Sequence, residues 1–155
     1  HCISSAASDV YKRQFVNKDD TTLFHQKMEE ACRPYDETYY PKFKKRCDEY
    51  FYLPHRNEPR GEGGIFFDYM NTGDWETDFD FVKDVGRKTL EAITTIVNQH
   101  KELSWTAQEK DEQLLKRGRY VEFNLLWDKG TLFGIKTGGS TEAILMSMPP
   151  TAKWA

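Results

Sequence analysis

A long helical period is the sequence feature that most limits how this chain can fold. Apolar residues recur at three- and four-residue steps from Phe79 to Val97, and Asp74 stands ahead of them as a favourable N-cap. The period predicts a helix that continues to His100. An amphipathic helix of this kind leaves an apolar stripe that a second layer of structure must cover, so the chain needs further elements packed against it.

Three shorter helices are predicted on either side of the long one. Pro34 stops the first, and Gly118 is the expected end of the last, which opens with the capping-box pattern of Thr106 and Glu109. The first begins at Asp20 or Thr21, the second covers residues 40–50, and the third covers residues 106–118.

Strict alternation replaces the helical period near the end of the chain. Residues 120–127 place apolar side chains on every second position, which predicts a strand, and residues 131–136 can return beside it after a glycine turn. A shorter strand is predicted at residues 65–68. The residues that follow, 142–148, are apolar but too few to decide between helix and strand. The predicted fold class is therefore α+β, with an antiparallel β-sheet flanked by α-helices.

Composition excludes several classes of protein. The chain has 155 residues, 38% of them hydrophobic, which suits one core of ordinary size. Its 22 basic and 25 acidic residues give a net charge of -3, so nucleic-acid binding is not expected. No apolar run approaches the length of a transmembrane segment. Three cysteines without CxxC spacing indicate neither a disulfide framework nor a cysteine zinc site, and a protein that is not secreted is expected.

The first fourteen residues differ in character from the rest. Residues 1–14 show no apolar periodicity, and the composition changes at Phe15 into an amphipathic segment. We interpret residues 1–14 as a non-native or disordered leader, with a targeting peptide as the less favoured interpretation. Residues 15–155 are then the folded part, and they are expected to be a fragment of a larger single domain.

Histidines and arginines supply the first candidate site residues. His25 and His55 could ligate a divalent metal, although two surface histidines are the simpler interpretation of their spacing. Arg56 and Arg60 lie in a loop rich in glycine and proline, from which a guanidinium can hold a carboxylate through two parallel hydrogen bonds. The loop therefore predicts an anionic small-molecule ligand, with solvated arginines as the alternative.

A carboxylate and a glycine turn complete the candidates. Asp68 follows three apolar residues, where it could serve in proton transfer or pair with a nearby arginine. Gly138, Gly139 and Ser140 have neither Walker A nor dinucleotide-binding spacing. Their backbone N–H groups could meet an anion, and an ordinary turn is the alternative.

Two long segments resemble one enzyme family. The segment YPKFKKRCDEYFYLPHRNEPRGEGGIFFD, residues 40–68, and the segment KRGRYVEFNLLWDKGTLFGIKTGGSTEAILMSMPP, residues 116–150, closely resemble the C-terminal half of oxygen-dependent coproporphyrinogen III oxidases. The likeness extends from about residue 15 to residue 154. It implies an enzyme of heme and porphyrin biosynthesis that converts two propionates of coproporphyrinogen III to vinyl groups, giving protoporphyrinogen IX. Molecular oxygen is the implied co-substrate, and no organic cofactor is implied.

The resemblance also implies roles for single residues. His25 and His55 match positions proposed in the family as ligands of a divalent metal, whose requirement is left open. Arg56 and Asp68 match active-site residues thought to handle a substrate carboxylate and the proton of a pyrrole N–H. The turn at residues 138–140 corresponds to a substrate-contacting segment, and Arg60 suits a pocket for an acidic tetrapyrrole. Residues 120–154 resemble the part that builds a homodimer interface.

The chain departs from the family pattern in three respects. Ser140 stands where the family commonly has arginine, and Tyr69 where it often has a second aspartate. The N-terminal half of the family, with its HMN and WWFGGG motifs, does not occur in this sequence. This chain alone is therefore expected to aggregate or fold poorly, and to be inactive. The rival hypothesis is a non-catalytic module that retains the dimerisation surface and binds a tetrapyrrole or a partner. The expected location is the cytoplasm, or a mitochondrion or plastid in a eukaryote.

Overall fold

The computed structural model describes residues 17–154, which form two compact units. The first unit comprises residues 17–50 and 62–104, and the second comprises residues 51–61 and 105–154. The predicted leader, residues 1–14, lies outside the described residues. None of the helices within residues 17–154 has both the length and the apolar character that a membrane crossing requires. The elements are α1 Lys18–Cys32, α2 Tyr39–Tyr50, β1 Tyr52–Leu53, β2 Glu58–Pro59, α3 Trp75–His100, α4 Ala107–Leu126, α5 Lys129–Lys136 and α6 Thr141–Leu145.

Helices α1 and α3 pack antiparallel in the first unit. Asp20 near the start of α1 pairs with His100 at the end of α3, at 2.9 Å. Three residues beyond the other end of α1, the Tyr35 hydroxyl donates to Asp84, in the first half of α3, at 2.7 Å. Because opposite ends meet, the two apolar stripes face one another along their length.

The apolar stripe of α3 is buried in the core of the first unit, where other elements pack against it. Aromatic rings from α2, α3 and the segment after Gly64 meet at its centre, with the Phe43 and Phe81 centroids 6.0 Å apart and the Phe67 and Phe81 centroids 5.0 Å apart. Such tilted contacts add to the free energy of area burial. The buried members are Phe24, Met28, Ala31, Cys32, Phe43, Ile65, Phe81, Val85, Ala92 and Ile96.

Helix α4 and the β1–β2 hairpin form the second unit. The two strands pair antiparallel, with Tyr52 opposite Pro59 and Leu53 opposite Glu58. Phe51, just before β1, contacts Phe123 of α4 with their centroids 5.0 Å apart. Leu53 and Phe123 are fully buried. The hairpin is therefore held by its apolar side against the helix.

The end of the chain crosses α4 at Gly118. The Lys153 N–H donates to the Leu114 carbonyl at 3.0 Å, and the Lys153 ammonium pairs with Asp111 at 2.6 Å. A Cβ on Gly118 would lie 2.3 Å from the Lys153 carbonyl oxygen. Gly118 is thus needed for the close approach of another backbone, and the prediction that it ends the helix is wrong.

The predicted strands are the main correction. Residues 120–126 lie in α4, Trp127 caps its C-terminus, and residues 131–136 lie in α5. Tyr120, Phe123 and Trp127 are spaced three and four apart, so the alternating segment also has a helical face. A helix satisfies its own backbone, whereas a strand needs a neighbour to pair with, and within residues 17–154 these segments have none.

The predicted strand at residues 65–68 is also absent from the described structure. The segment is irregular, and the Phe66 N–H donates to the Phe43 carbonyl at 3.1 Å. Ile65 is buried, and Phe67 packs against the core of the first unit. The apolar run therefore reflects burial against helices and not pairing in a sheet.

The predicted starts of α3 and α4 are confirmed. Asp74 caps α3, and Thr106 and Glu109 form the predicted capping box of α4. Helix α1 begins earlier than predicted, because the Asn17 side chain accepts from the Asp19 N–H at 2.8 Å and caps it. The short apolar run left undecided is partly the helix α6. The described residues are helix-rich with a two-stranded antiparallel sheet, which agrees with an α+β fragment of a larger domain.

Candidate functional site

The four-residue connection of the hairpin carries two of the predicted site residues. His55 and Arg56 lie between β1 and β2, where the Arg56 N–H donates to the Leu53 carbonyl at 3.1 Å. Asn57 takes a positive φ of 54°, and its side chain accepts from the Tyr52 hydroxyl at 2.6 Å. Asparagine tolerates this left-handed conformation, so the local sequence suits the turn.

The carboxylate of Glu122, on α4, joins both residues of this turn. Its Oε2 accepts from Arg56 Nε at 2.6 Å, and its Oε1 accepts from Arg56 Nη2 at 2.6 Å. His55 Nε2 lies 3.0 Å from Oε2. The hydrogen bonds from Arg56, followed by that from His55, lower the pKa of Glu122 to about 2, against the opposing effect of burial. The same contact raises the pKa of Arg56, so the pair is ionised at neutral pH.

The hydrogen bonds of His55 define its tautomer. Trp127 Nε1 lies 3.1 Å from His55 Nδ1, and the two rings stack with centroids 6.0 Å apart. An indole nitrogen only donates, so Nδ1 must accept. The ring proton then belongs on Nε2, from which it is donated to Glu122.

Two further charged residues extend the network. Arg119 Nε donates to Glu58 of β2, and Arg119 Nη1 lies 3.9 Å from Glu122 Oε1. The Arg119 side chain is 17% exposed and that of Glu122 is 11% exposed. Positive and negative groups therefore alternate between the hairpin and α4, with Arg119 and Glu122 shielded from water and Glu58 39% exposed.

Family comparisons match almost the whole chain. The family model described as coproporphyrinogen III oxidase matches residues 11–155. The chain belongs to the coproporphyrinogen III oxidase family. Three relatives bear the name oxygen-dependent coproporphyrinogen-III oxidase. They come from Rickettsia bellii (strain OSU 85-389), 57% identical over 91% of this chain, Rickettsia africae (strain ESF-5), 57% identical over 90%, and Rickettsia rickettsii (strain Sheila Smith), 56% identical over 90%.

The match covers only part of each relative. The aligned region is 50% of the length of each of these three proteins, so the chain spans about half the length of the curated relatives it matches. The resemblance to the coproporphyrinogen III oxidase family that the sequence motifs indicated is thereby confirmed.

Arg60 lies in an aromatic surround within the second unit. Its guanidinium carbon is 4.2 Å from the centroid of Phe51 and 5.2 Å from those of Tyr120 and Phe123. Only 3% of the residue is exposed. This geometry gives Arg60 a structural role in holding the hairpin to α4, and its predicted contact with substrate stays a prediction.

The glycine turn connects two helices of the second unit. The Gly138 N–H donates to the Ile135 carbonyl at 3.2 Å, and the Gly139 N–H donates to the Gly134 carbonyl at 2.9 Å. Ser140 caps α6 through its hydroxyl, which accepts from the Ala143 N–H at 3.4 Å. The two glycine N–H groups thus satisfy the end of α5, and the predicted substrate contact of this turn stays a prediction.

The first unit holds the other two predicted site residues. Arg46 Nη2 lies 2.5 Å from a carboxylate oxygen of Asp68, and the Arg46 guanidinium also lies over the ring of Phe66. The Asp68 side chain is 36% exposed. The pairing with an arginine, one of the two arrangements expected from the sequence, is the one that the structure contains.

His25 sits among aromatic side chains in the first unit. The Tyr40 hydroxyl lies 3.1 Å from His25 Nδ1, and the ring of Phe24 meets the imidazole edge-on. Burial, and next the positive charge of Lys44, lower the pKa of His25. The imidazole is therefore neutral at pH 7, the form that a metal ligand requires.

The donor sets of the two histidines do not fit a metal ion as they stand. Both ring nitrogens of His55 are engaged, one with Trp127 and one with Glu122. Within the described part of the chain, no three His, Cys, Asp or Glu side chains are grouped as a metal would need. His25 belongs to the first unit and His55 to the second. Their metal-binding role stays a prediction.

Glu122 and Trp127 are the site residues that the sequence motifs did not single out. The sequence separates Glu122 from Arg56 by 66 positions. The local signal was a single carboxylate among the arginines of the RGRYVEF segment. The strand predicted at residues 120–127 places Glu122 on a sheet face, whereas the structure places it on the helix that meets the hairpin.

Proposed function

We propose that the protein containing this chain is an oxygen-dependent coproporphyrinogen III oxidase. In that reaction two propionates of the macrocycle become vinyl groups, and each loses carbon dioxide, one proton and two electrons. One molecule of dioxygen accepts the four electrons and four protons, two from the substrate and two from solvent, and becomes two molecules of water. The observation that supports this proposal best is the family match over residues 11–155.

Arg56 is proposed to hold a substrate carboxylate. Two of its five N–H groups donate to Glu122, and the other three have no partner among residues 17–154. A guanidinium oriented along one edge can still offer its other edge to a propionate. This division of donors suits a substrate that carries several carboxylates.

Asp68 is proposed to exchange the proton of a pyrrole N–H. Its carboxylate is held by Arg46 but keeps part of its surface open to solvent. A fixed carboxylate with an accessible oxygen meets the geometric requirement of a general acid or base. Arg60, Gly138, Gly139 and Ser140 are proposed to line the substrate site, as the family resemblance implies.

A homodimer is proposed for the same protein. Several large apolar side chains after residue 125 are exposed in the second unit, which favours a covering partner in the assembled protein. They include Leu126 at 54%, Phe133 at 70% and Met146 at 82%. The non-catalytic module, the rival hypothesis, is not favoured, because the match extends over 91% of the chain at 57% identity.

The test is an oxygen-dependent assay of the protein made from its complete reading frame. We expect conversion of coproporphyrinogen III in air and none under nitrogen. Arg56→Ala should raise KM about 10- to 100-fold, the range for losing a hydrogen bond to a charged group. Arg33→Ala is the matched control, because Arg33 is 64% exposed and pairs with Glu29 of its own helix. A folded protein that forms no protoporphyrinogen in air would overturn the proposal.

A further inference from the structure

We infer that Glu122 is a positioning residue, whose carboxylate orients His55 and Arg56 together at the site. The inference rests on the proposed function, because it assumes that the turn carrying these two side chains meets substrate. Helix α4 then does more than pack against the hairpin, because its Glu122 is the hydrogen-bond acceptor that orients the side chains of the turn.

The hairpin by itself is too small to hold this turn. Each of its strands has two residues, and such a short pair is marginal in water without support from another element. The apolar side of the hairpin packs on α4 through Phe51 and Leu53. The polar connection at residues 54–57 is therefore attached to α4 through Glu122 and Trp127.

Glu122 accepts from three donors with two oxygens. Arg56 is bound at two points, so its guanidinium plane is held in the plane of the carboxylate. His55 donates to the oxygen that also accepts from Arg56 Nε. Because one carboxylate binds both side chains, a displacement of Glu122 moves the two together.

Trp127 fixes the other end of the imidazole. It follows Glu122 by five residues and caps the C-terminus of α4, so both partners of the ring come from one helix end. With Nδ1 accepting from Trp127 and Nε2 donating to Glu122, the ring has one tautomer and one orientation. A charge pair that only stabilised the fold would not require the opposite nitrogen to be bound as well.

Two substitutions at residue 122 distinguish the effect of the negative charge from the effect of the side-chain length. Glu122→Gln keeps the length of the side chain, but its amide NH₂ opposes the N–H groups of Arg56 or His55. Glu122→Asp keeps the charge and is shorter by one methylene. Glu112→Gln is the matched control, because Glu112 lies on the same helix and, among residues 17–154, accepts only from Gln108, at 3.1 Å.

The first measurement is steady-state kinetics on the protein from the complete reading frame. We expect Glu122→Gln to lower kcat/KM about 100-fold, since a displacement of about 1 Å at a reacting centre has that effect. Glu122→Asp should recover part of the loss, and Glu112→Gln should match the wild type. Equal kcat/KM in Glu122→Gln and Glu112→Gln would overturn the inference.

The second measurement does not depend on activity. Nitrogen-15 NMR of histidine-labelled protein, assigned with His55→Gln, reports which ring nitrogen carries the proton. We expect the Nε2–H tautomer of His55 in the wild type, and a mixture of tautomers in Glu122→Gln and in Trp127→Phe. An unchanged His55 signal in Glu122→Gln would overturn the inference, and Glu122→Asp serves if Glu122→Gln does not fold.

The two proposals fail in different ways. An inactive wild type whose His55 tautomer responds to Glu122→Gln contradicts the proposed oxidase and supports the positioning role. If the wild type is active, and Glu122→Gln changes neither the His55 tautomer nor kcat/KM, the oxidase proposal is supported and the positioning role is contradicted.

Discussion

Replacing Gly118 with alanine tests how the end of the chain crosses α4. The added Cβ would lie 2.3 Å from the Lys153 carbonyl oxygen and 3.5 Å from the Trp154 indole nitrogen. The nearer atom belongs to the backbone, so no side-chain rotation relieves the contact. The segment must shift, which breaks the hydrogen bond from the Lys153 N–H to the Leu114 carbonyl.

The change in the free energy of unfolding follows from one stabilising and two destabilising contributions. Alanine in place of glycine inside a helix stabilises by about 1 kcal/mol. Overpacking costs about 1–3 kcal/mol, and the lost hydrogen bond costs about 1 kcal/mol more. The free energy of unfolding should therefore fall by about 1–3 kcal/mol in Gly118→Ala.

Gly86 provides a matched control on α3. Apart from its chain neighbours and the nearby backbone of α3, an added Cβ there would have no atom of residues 17–154 within 4 Å. Gly86→Ala should therefore raise the free energy of unfolding by about 1 kcal/mol, from helix propensity alone. Urea unfolding followed by circular dichroism on the protein from the complete reading frame measures both. Equal stabilisation by the two substitutions would refute the close approach at Gly118.

Four further predictions concern single groups and the isolated chain. Burial raises the pKa of Cys32 from 9.0 to about 12, so the folded protein should resist iodoacetamide at pH 8 at this position. The unfolded thiol ionises first, so stability should fall as pH rises above 9, and a Cys32→Ala variant should lose that component. Arg60→Lys should lower the free energy of unfolding by about 1–2 kcal/mol, because the desolvated guanidinium stacking is lost. An increase in KM without that loss would instead support a direct contact of Arg60 with substrate. His55→Ala should leave the metal content of the purified protein unchanged by plasma mass spectrometry, and a proportional loss of metal would show that His55 is a ligand. The 155-residue chain alone should aggregate on size-exclusion chromatography and produce no protoporphyrinogen, and turnover by it would refute this expectation.

Helix starts were predictable because their determinants are local. Asp74 and the pair Thr106 and Glu109 each satisfy backbone N–H groups within the next few residues. Asn17 was missed as the cap of α1, because Asp20 and Thr21 offer the same chemistry closer to the apolar stripe. The resulting error is confined to the first turn of α1.

The candidate site was predictable only in part. The motif around His55 and Arg56 indicated a functional loop, and the structure joins these two residues in one network. Their common partner, Glu122, is 66 positions from Arg56, and no local pattern relates them. Arg60 looked like a surface ligand for a carboxylate, yet it is buried against three aromatic rings.

The sequence by itself determined the helical periods, the caps and membership of the coproporphyrinogen III oxidase family, because each depends on residues close together or on recognisable strings. Tertiary structure decided whether residues 120–127 form a helix or a strand, since an alternating segment becomes a strand only when another strand satisfies its backbone. It also decided which carboxylate meets His55 and Arg56, because packing of the hairpin on α4 brings together groups that the chain holds far apart.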